Sequence, residues 1–274
     1  SKQQTAVSVN LTYNTIMANV VTFLKNYKDF GFKVRYVTAK NYLNTLLTTT
    51  DFVEKKIMLI RITEEVISST EDLTMWLAAI NNRNNLSNKC RDIWEYLINC
   101  WATDEEVLKI LKQYSRVKTG KGLLTKFKTP PVVKILTYLK TDEVTFNKLL
   151  DKLLESIKAS LHNRTAGRKV LLKFHNKIKH GMVVQDYGNE LYIREIEANH
   201  PKKGKRLYRR NRNLYIPFDV DKAKSMVGTV EANAYAVKTL VILLMADITY
   251  KLETKKRKLG KRQRIFWEES LRGY

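Results

Sequence analysis

Along most of the chain, apolar residues recur at every third or fourth position, the spacing that gives a helix one apolar face. The pattern predicts an amphipathic helix from Val7 to Phe30, with Gly31 as its C-cap, and a short helix from Ala39 to Leu47. It is clearest after Asp51, a good N-cap residue. There Leu59, Ile62, Val66, Leu73, Trp76 and Ile80 line one face, and Ser69 fills the gap in the seam. That helix is expected to end between Asn81 and Asn85. Shorter helices are expected from Asn88 to Trp101 and from Asp104 to Tyr114. Gly120 and Gly122 break the pattern, and Pro130-Pro131 opens a helix through Tyr138. Thr141 starts a long amphipathic helix to about His162, and Thr165 or Gly167 introduces the next, which ends at Gly181.

After Gly181 the period changes to two. Met182 to Asp186 and Glu190 to Glu197 alternate like strands, joined by Tyr187-Gly188-Asn189, a fair hairpin turn. Leu207-Tyr208 and Leu214-Tyr215-Ile216 can add a further strand. The final helix starts near Asp219 to Lys222, or at Gly228, and runs to about Leu252. Ala234, Val237, Val241, Leu244 and Ile248 form its seam. The expected fold is therefore mainly α: a helical bundle with a small β-hairpin insertion at about 182–216, before a long final helix. The bundle is expected over 1–252, divisible into 1–128 and 129–252, with a basic tail over 253–274.

Charge changes this picture more than composition does. Lysine and arginine number 50 against 27 acids, a formal net charge of +23. Self-repulsion of that size works against compactness, and a polyanionic partner offsets it. Nucleic acid does so directly, because each neutralised phosphate releases condensed counterions. The cations are also segregated. From Lys109 to Lys140 there is no acid, while Lys112, Arg116, Lys118, Lys121, Lys126, Lys128 and Lys134 recur. The stretch from Lys158 to Lys179 is equally free of acids and carries Arg164, Arg168, Lys169, Lys173, Lys177 and Lys179. Lys202, Lys203, Lys205, Arg206, Arg209, Arg210 and Arg212 follow, interleaved with Tyr208 and Tyr215. Rings between cations suit single-stranded nucleic acid, since bases stack while cations hold phosphates. The last cluster is Lys255 to Lys258 with Lys261, Arg262 and Arg264.

Several classes fall away. Two cysteines, Cys90 and Cys100, make neither a disulfide framework nor a zinc site, which fits a reducing, cytoplasmic compartment. The amino-terminal residues lack the apolar run of a signal peptide. The apolar run Leu240 to Ala246 is far shorter than the ~20 residues of a membrane span, so no membrane partner is expected. Thr119-Gly120-Lys121-Gly122 lacks the earlier glycine and following Ser/Thr of a phosphate-binding loop. No metal or cofactor is expected: His175 and His180 sit about 140° apart around a helix.

One segment holds candidate chemistry. Lys173, Asn176, Lys177 and His180 follow i, i+3, i+4, i+7 spacing and share a helical face, opposite Leu171, Phe174 and Ile178. A histidine can serve as general acid or base near neutral pH, and adjacent lysines can hold a phosphate and stabilise its transition state. That set suffices for metal-free RNA cleavage by the 2′-hydroxyl. The bland alternative is a helix terminus on a phosphate-binding surface.

The run Asn176-Lys177-Ile178-Lys179-His180-Gly181, flanked by long helices, resembles the HEPN superfamily of helical ribonucleases and nucleotide-binding proteins. The resemblance covers at most Thr141 to Leu252. It implies a metal-independent endoribonuclease of a toxin or defence system, commonly dimeric, with His180 as the catalytic histidine and Asn176 as the polar residue. The family's arginine falls on His175, Phe174 or Lys173; Lys173 can supply the charge without the bidentate fork. Phosphate contacts would come from Lys177, Lys179, Arg168, Lys202, Lys203, Lys205, Arg206, Tyr208, Arg209, Arg210 and Arg212. RNA is favoured over DNA, with a homodimer as a further expectation. Two other classes stay open: a non-catalytic basic nucleic-acid-binding protein, and a helical protein that oligomerises through its apolar seams.

Overall fold

The computed structural model describes residues 23–24, 26–82, 97, 104–165, 185–187, 190–198, 209–217 and 219–258. The described chain is mainly helical. Residues 23, 24 and 26–29 are helical, and Gly31–Lys33 is a 3-10 turn. Then follow α1 (Val34–Thr48), α2 (Phe52–Asn82), α3 (Asp104–Ser115), α4 (Gly120–Phe127), α5 (Val132–Leu139) and α6 (Glu143–Thr165). Three short extended segments come next: β1 (Gln185–Tyr187), β2 (Glu190–Ala198) and β3 (Arg209–Pro217). They pair antiparallel in the order β1-β2-β3. The last element is α7 (Val220–Lys258).

The helix boundaries have local causes. Asp51 caps α2: its Oδ1 accepts from the Val53 amide at 2.8 Å. Asp219 caps α7 through the Asp221 amide at 2.9 Å, which fixes the earlier of the two starts expected for this helix. The cap of α6 is Asp142 rather than Thr141. Asp142 accepts from the Thr145 amide and hydroxyl at 2.8 and 2.7 Å. Gly31 is not a left-handed cap. A Cβ there would lie 2.6 Å from the Tyr27 ring, so the glycine admits that ring and the chain continues into α1. The left-handed caps are instead Lys128 and Lys140, each with φ of 50°, closing α4 and α5. The final helix also extends past Leu252 to Lys258, into the stretch read as a tail. The helices expected over Val7 to Thr22, Asn88 to Trp101 and Thr165 to Gly181 fall largely outside the described residues, as does the hairpin turn at Gly188-Asn189.

Contacts divide the chain into two units, each assembled from separated stretches. One comprises 35–70 and 159–231. Its core holds Ala39 and Leu46 of α1, Leu59, Ile62, Val66 and Ile67 of α2, and Ala223, Met226, Val227 and Val230 of α7. Thr63, fully buried there, donates its hydroxyl to the Leu59 carbonyl at 2.8 Å, so its polar group is satisfied within the helix.

The other unit comprises 1–34, 71–158 and 232–274. Its buried residues include Leu73, Trp76 and Ile80 of α2, Val107, Leu111 and Tyr114 of α3, Phe146, Leu150 and Leu153 of α6, and Val237, Val241 and Leu244 of α7. Trp76 packs on both Tyr27 and Phe23, at 4.8 and 6.3 Å between ring centroids, and those two rings also meet each other at 6.0 Å. Every residue of the two seams read from the sequence, Ser69 included, is buried. Within Val220–Lys251, α7 has an 18-residue stretch long and apolar enough for a membrane span, and 67% of that stretch is buried inside the protein.

In this second unit α4 approaches α6 closely. Gly120, in the first turn of α4, donates its amide to Asp151 Oδ1 at 2.9 Å. A Cβ on Gly120 would sit 2.4 Å from the backbone of Leu150 and Asp151, so only glycine fits. Gly228, in the third turn of α7, has nothing within 4 Å of a built Cβ. Opposite outcomes follow for one chemical change. Gly120→Ala is expected to destabilise by about 1–3 kcal/mol or more, through overpacking against backbone. Gly228→Ala is expected to stabilise by about 0.5–1 kcal/mol, through helix propensity. Chemical denaturation of the two variants checks the pair, and equal effects would refute the close approach.

Candidate anion-binding groove

The acid-free segment from Lys109 to Lys140 forms the second half of α3, α4 and α5. On α3, Val107, Leu111 and Tyr114 follow i, i+4, i+7 spacing and are buried. That leaves Glu105, Lys109, Lys112 and Arg116, spaced i, i+4, i+7, i+11, on the opposite, exposed face. Tyr114 fixes the helix at two points. Its ring packs on Phe127 of α4 at 5.2 Å, and its hydroxyl donates to Asn81 Oδ1 of α2 at 3.0 Å.

Between this exposed face and the end of α4 lies an open groove of about 740 Å3. Glu105, Leu108, Lys109, Lys112, Gln113, Arg116, Val117 and Lys126 line it. Leu108 and Val117 are half-buried, whereas the four cations are exposed. Lys109, Lys112, Arg116 and Lys126 form no ion pair with any described residue. Four cations thus share a concave surface with one carboxylate, a concentration of positive charge that attracts anions.

Val117 is held against α4 by the absence of a side chain on Gly122. A Cβ there would lie 2.8 Å from Val117 Cγ1. The α4 N-terminus is already filled by protein groups. Thr119 Oγ1 accepts from the Gly122 amide at 3.3 Å, and Asp151 takes the Gly120 amide. A carboxylate therefore occupies the amide that a phosphate loop would offer. Lys121 is engaged too, at 2.8 Å from Glu143. Its hydrogen bond and charge hold the Glu143 carboxyl below its ordinary value. The pair therefore persists at neutral pH and is lost as pH falls through that lowered value.

The residues nominated from the sequence distribute differently. Lys173, Asn176, Lys177, Lys179, His180 and Arg168 lie outside the described residues, as do Lys202, Lys203, Lys205, Arg206 and Tyr208. Arg209, Arg210 and Arg212 lie on β3, in register with Ala198, Glu197 and Glu195 of β2. Two of these three arginines thus stand opposite glutamates. Among the described residues, no group of three or more His, Cys, Asp or Glu side chains could hold a metal ion. The groove was missed as a site because lysines were counted along the segment rather than around α3. The i+3/i+4 spacing of Lys109, Lys112 and Arg116 opposite an apolar face was the signal that could have found it.

No protein-family model, curated protein or solved structure matches the chain.

Exchange of all four groove cations for glutamine removes mutual repulsion and no described ion pair. The stability of that variant at low salt, read from thermal unfolding, is expected to stay within about 0.5 kcal/mol of the parent or to rise. A fall of several degrees would show that these cations hold the fold together.

Proposed function

We propose that this is a nucleic-acid-binding protein, with RNA its first partner, that grips phosphates through exposed cations on a helical frame. The observation that carries the reading is the groove face of α3: cations at helical spacing, exposed, without described ion-pair partners, opposite an anchored apolar face. The formal charge of +23 supports it, because repulsion of that size is relieved by phosphate. In this reading β1, β2 and β3 form a β-hairpin insertion in the helical fold, and Arg209, Arg210 and Arg212 add a second set of phosphate contacts.

A second reading keeps the HEPN-like resemblance. The Asn176–His180 spacing on a predicted helix supports a metal-independent endoribonuclease with His180 as acid/base and Lys173 supplying charge. A dimer would join two such motifs.

One experiment addresses both readings: purified protein with labelled single-stranded RNA in EDTA, scored for gel shift and cleavage, with His180→Ala alongside. Binding is expected, falling by at least ~10-fold between 50 and 200 mM salt. Binding that ignores salt, or no binding at low salt, would refute the first reading. Cleavage lost in His180→Ala while binding persists would add the second, and cleavage unchanged in that variant would refute it.

A further inference from the structure

The groove on α3 has a feature that a generic phosphate surface lacks. Its lining combines four cations with two half-buried apolar residues, Leu108 and Val117, in a concavity of about 740 Å3. A duplex presents phosphates and sugars on a convex outer surface and keeps its base faces stacked inside. Lysines on a flat helix face would serve it as well, and Leu108 and Val117 would gain no cover from it. An unpaired strand is different: it carries bases whose faces need cover and phosphates that need cations. The groove offers both within one site. Its volume lies inside the ~300–1,000 Å3 range of pockets that enclose small ligands. It is therefore large enough for a nucleotide unit rather than a bare ion.

The charges are uneven along the groove. Glu105 lies in the first turn of α3, and Lys109, Lys112 and Arg116 follow along the helix, with Lys126 contributed by α4. Glu105 would repel phosphate at one end of the groove, and the four cations would attract it along the rest. Arg116 brings a planar guanidinium that can bind a phosphate through two donors or stack on a base. Gly122 keeps Val117 where it is, since any larger residue would push against Val117 Cγ1.

We propose that the groove lined by Leu108, Lys109, Lys112, Arg116, Val117 and Lys126 is a binding site for an unpaired segment of a polynucleotide. Bases are covered by the apolar side chains of Leu108 and Val117, and the flanking phosphates are held on the four cations. The proposal rests on the nucleic-acid-binding reading above and adds where the strand lies and that it is unpaired.

The test is fluorescence anisotropy on the full chain, with a 12-nucleotide single strand and a duplex of the same length, at one low salt concentration. The proteins are the parent, the four-glutamine variant (Lys109, Lys112, Arg116 and Lys126→Gln) and Leu108→Ser. The parent is expected to bind the single strand about tenfold more tightly than the duplex. The four-glutamine variant should lose at least tenfold for the single strand. Leu108→Ser should lose several-fold for the single strand with duplex affinity unchanged, a pattern that neither misfolding nor general loss of charge produces.

Strand binding by the parent that the four-glutamine variant retains in full would overturn the site while leaving the general reading intact. Equal affinity for strand and duplex, or equal losses for both in Leu108→Ser, would overturn the unpaired-strand claim. Displacement of the strand by micromolar mononucleotide would assign the groove to a free nucleotide and also overturn it. No binding of either nucleic acid would fail the general reading itself.

Discussion

Mutual repulsion among cations is the constraint the rest of this structure has to satisfy. The segment from Lys109 to Lys140 contains no acid, so it cannot settle its charge by local pairing. It folds because each of its helices turns an apolar face inward. Val107, Leu111 and Tyr114 of α3, Leu123, Leu124 and Phe127 of α4, and Ile135 of α5 are buried. The lysines and arginine between them are left at the surface. Apolar anchoring and charge display are then the same fact seen from two sides of a helix. Two acids that meet this segment come from α6, where Asp151 takes the Gly120 amide and Glu143 takes Lys121. Those contacts hold α4 in place without neutralising the face of α3.

Much of the helical frame was legible in the sequence because its causes are local. Asp51 and Asp219 are caps by residue type and position, and both accept the amides that a cap should. The seams on α2 and α7 are periodic over many turns, so a single polar member such as Ser69 did not hide them. What escaped depends on partners that pattern does not reveal. Gly120 looked like a helix breaker, yet it opens α4 because Asp151, 31 residues away, accepts its amide and packs against its bare Cα. Gly31 looked like a cap, and the Tyr27 ring is what requires it. Lysines at the left-handed positions 128 and 140 carry no sequence signal, because that conformation favours glycine and asparagine.

For the candidate site, charge segregation was visible in the sequence and concavity was not. A run of lysines does not say whether its members face one another across a groove or scatter around a helix. Packing of Tyr114 on Phe127, with its hydroxyl on Asn81, sets α3 and α4 so that Lys126 joins Lys109, Lys112 and Arg116. Motif reading instead fixed on Lys173 to His180, where residue chemistry is richest. The groove is lined instead mainly by lysines, an arginine and apolar residues, with no histidine.

The most direct measurement of the central claim is photo-cross-linking of a 4-thiouridine-labelled single strand to the full chain, with the adducts mapped by peptide mass spectrometry. Adducts within the stretch from Asp104 to Phe127 are the predicted result, since α3 and α4 line the groove. Adducts confined to other parts of the chain, with none in that stretch, would contradict the account.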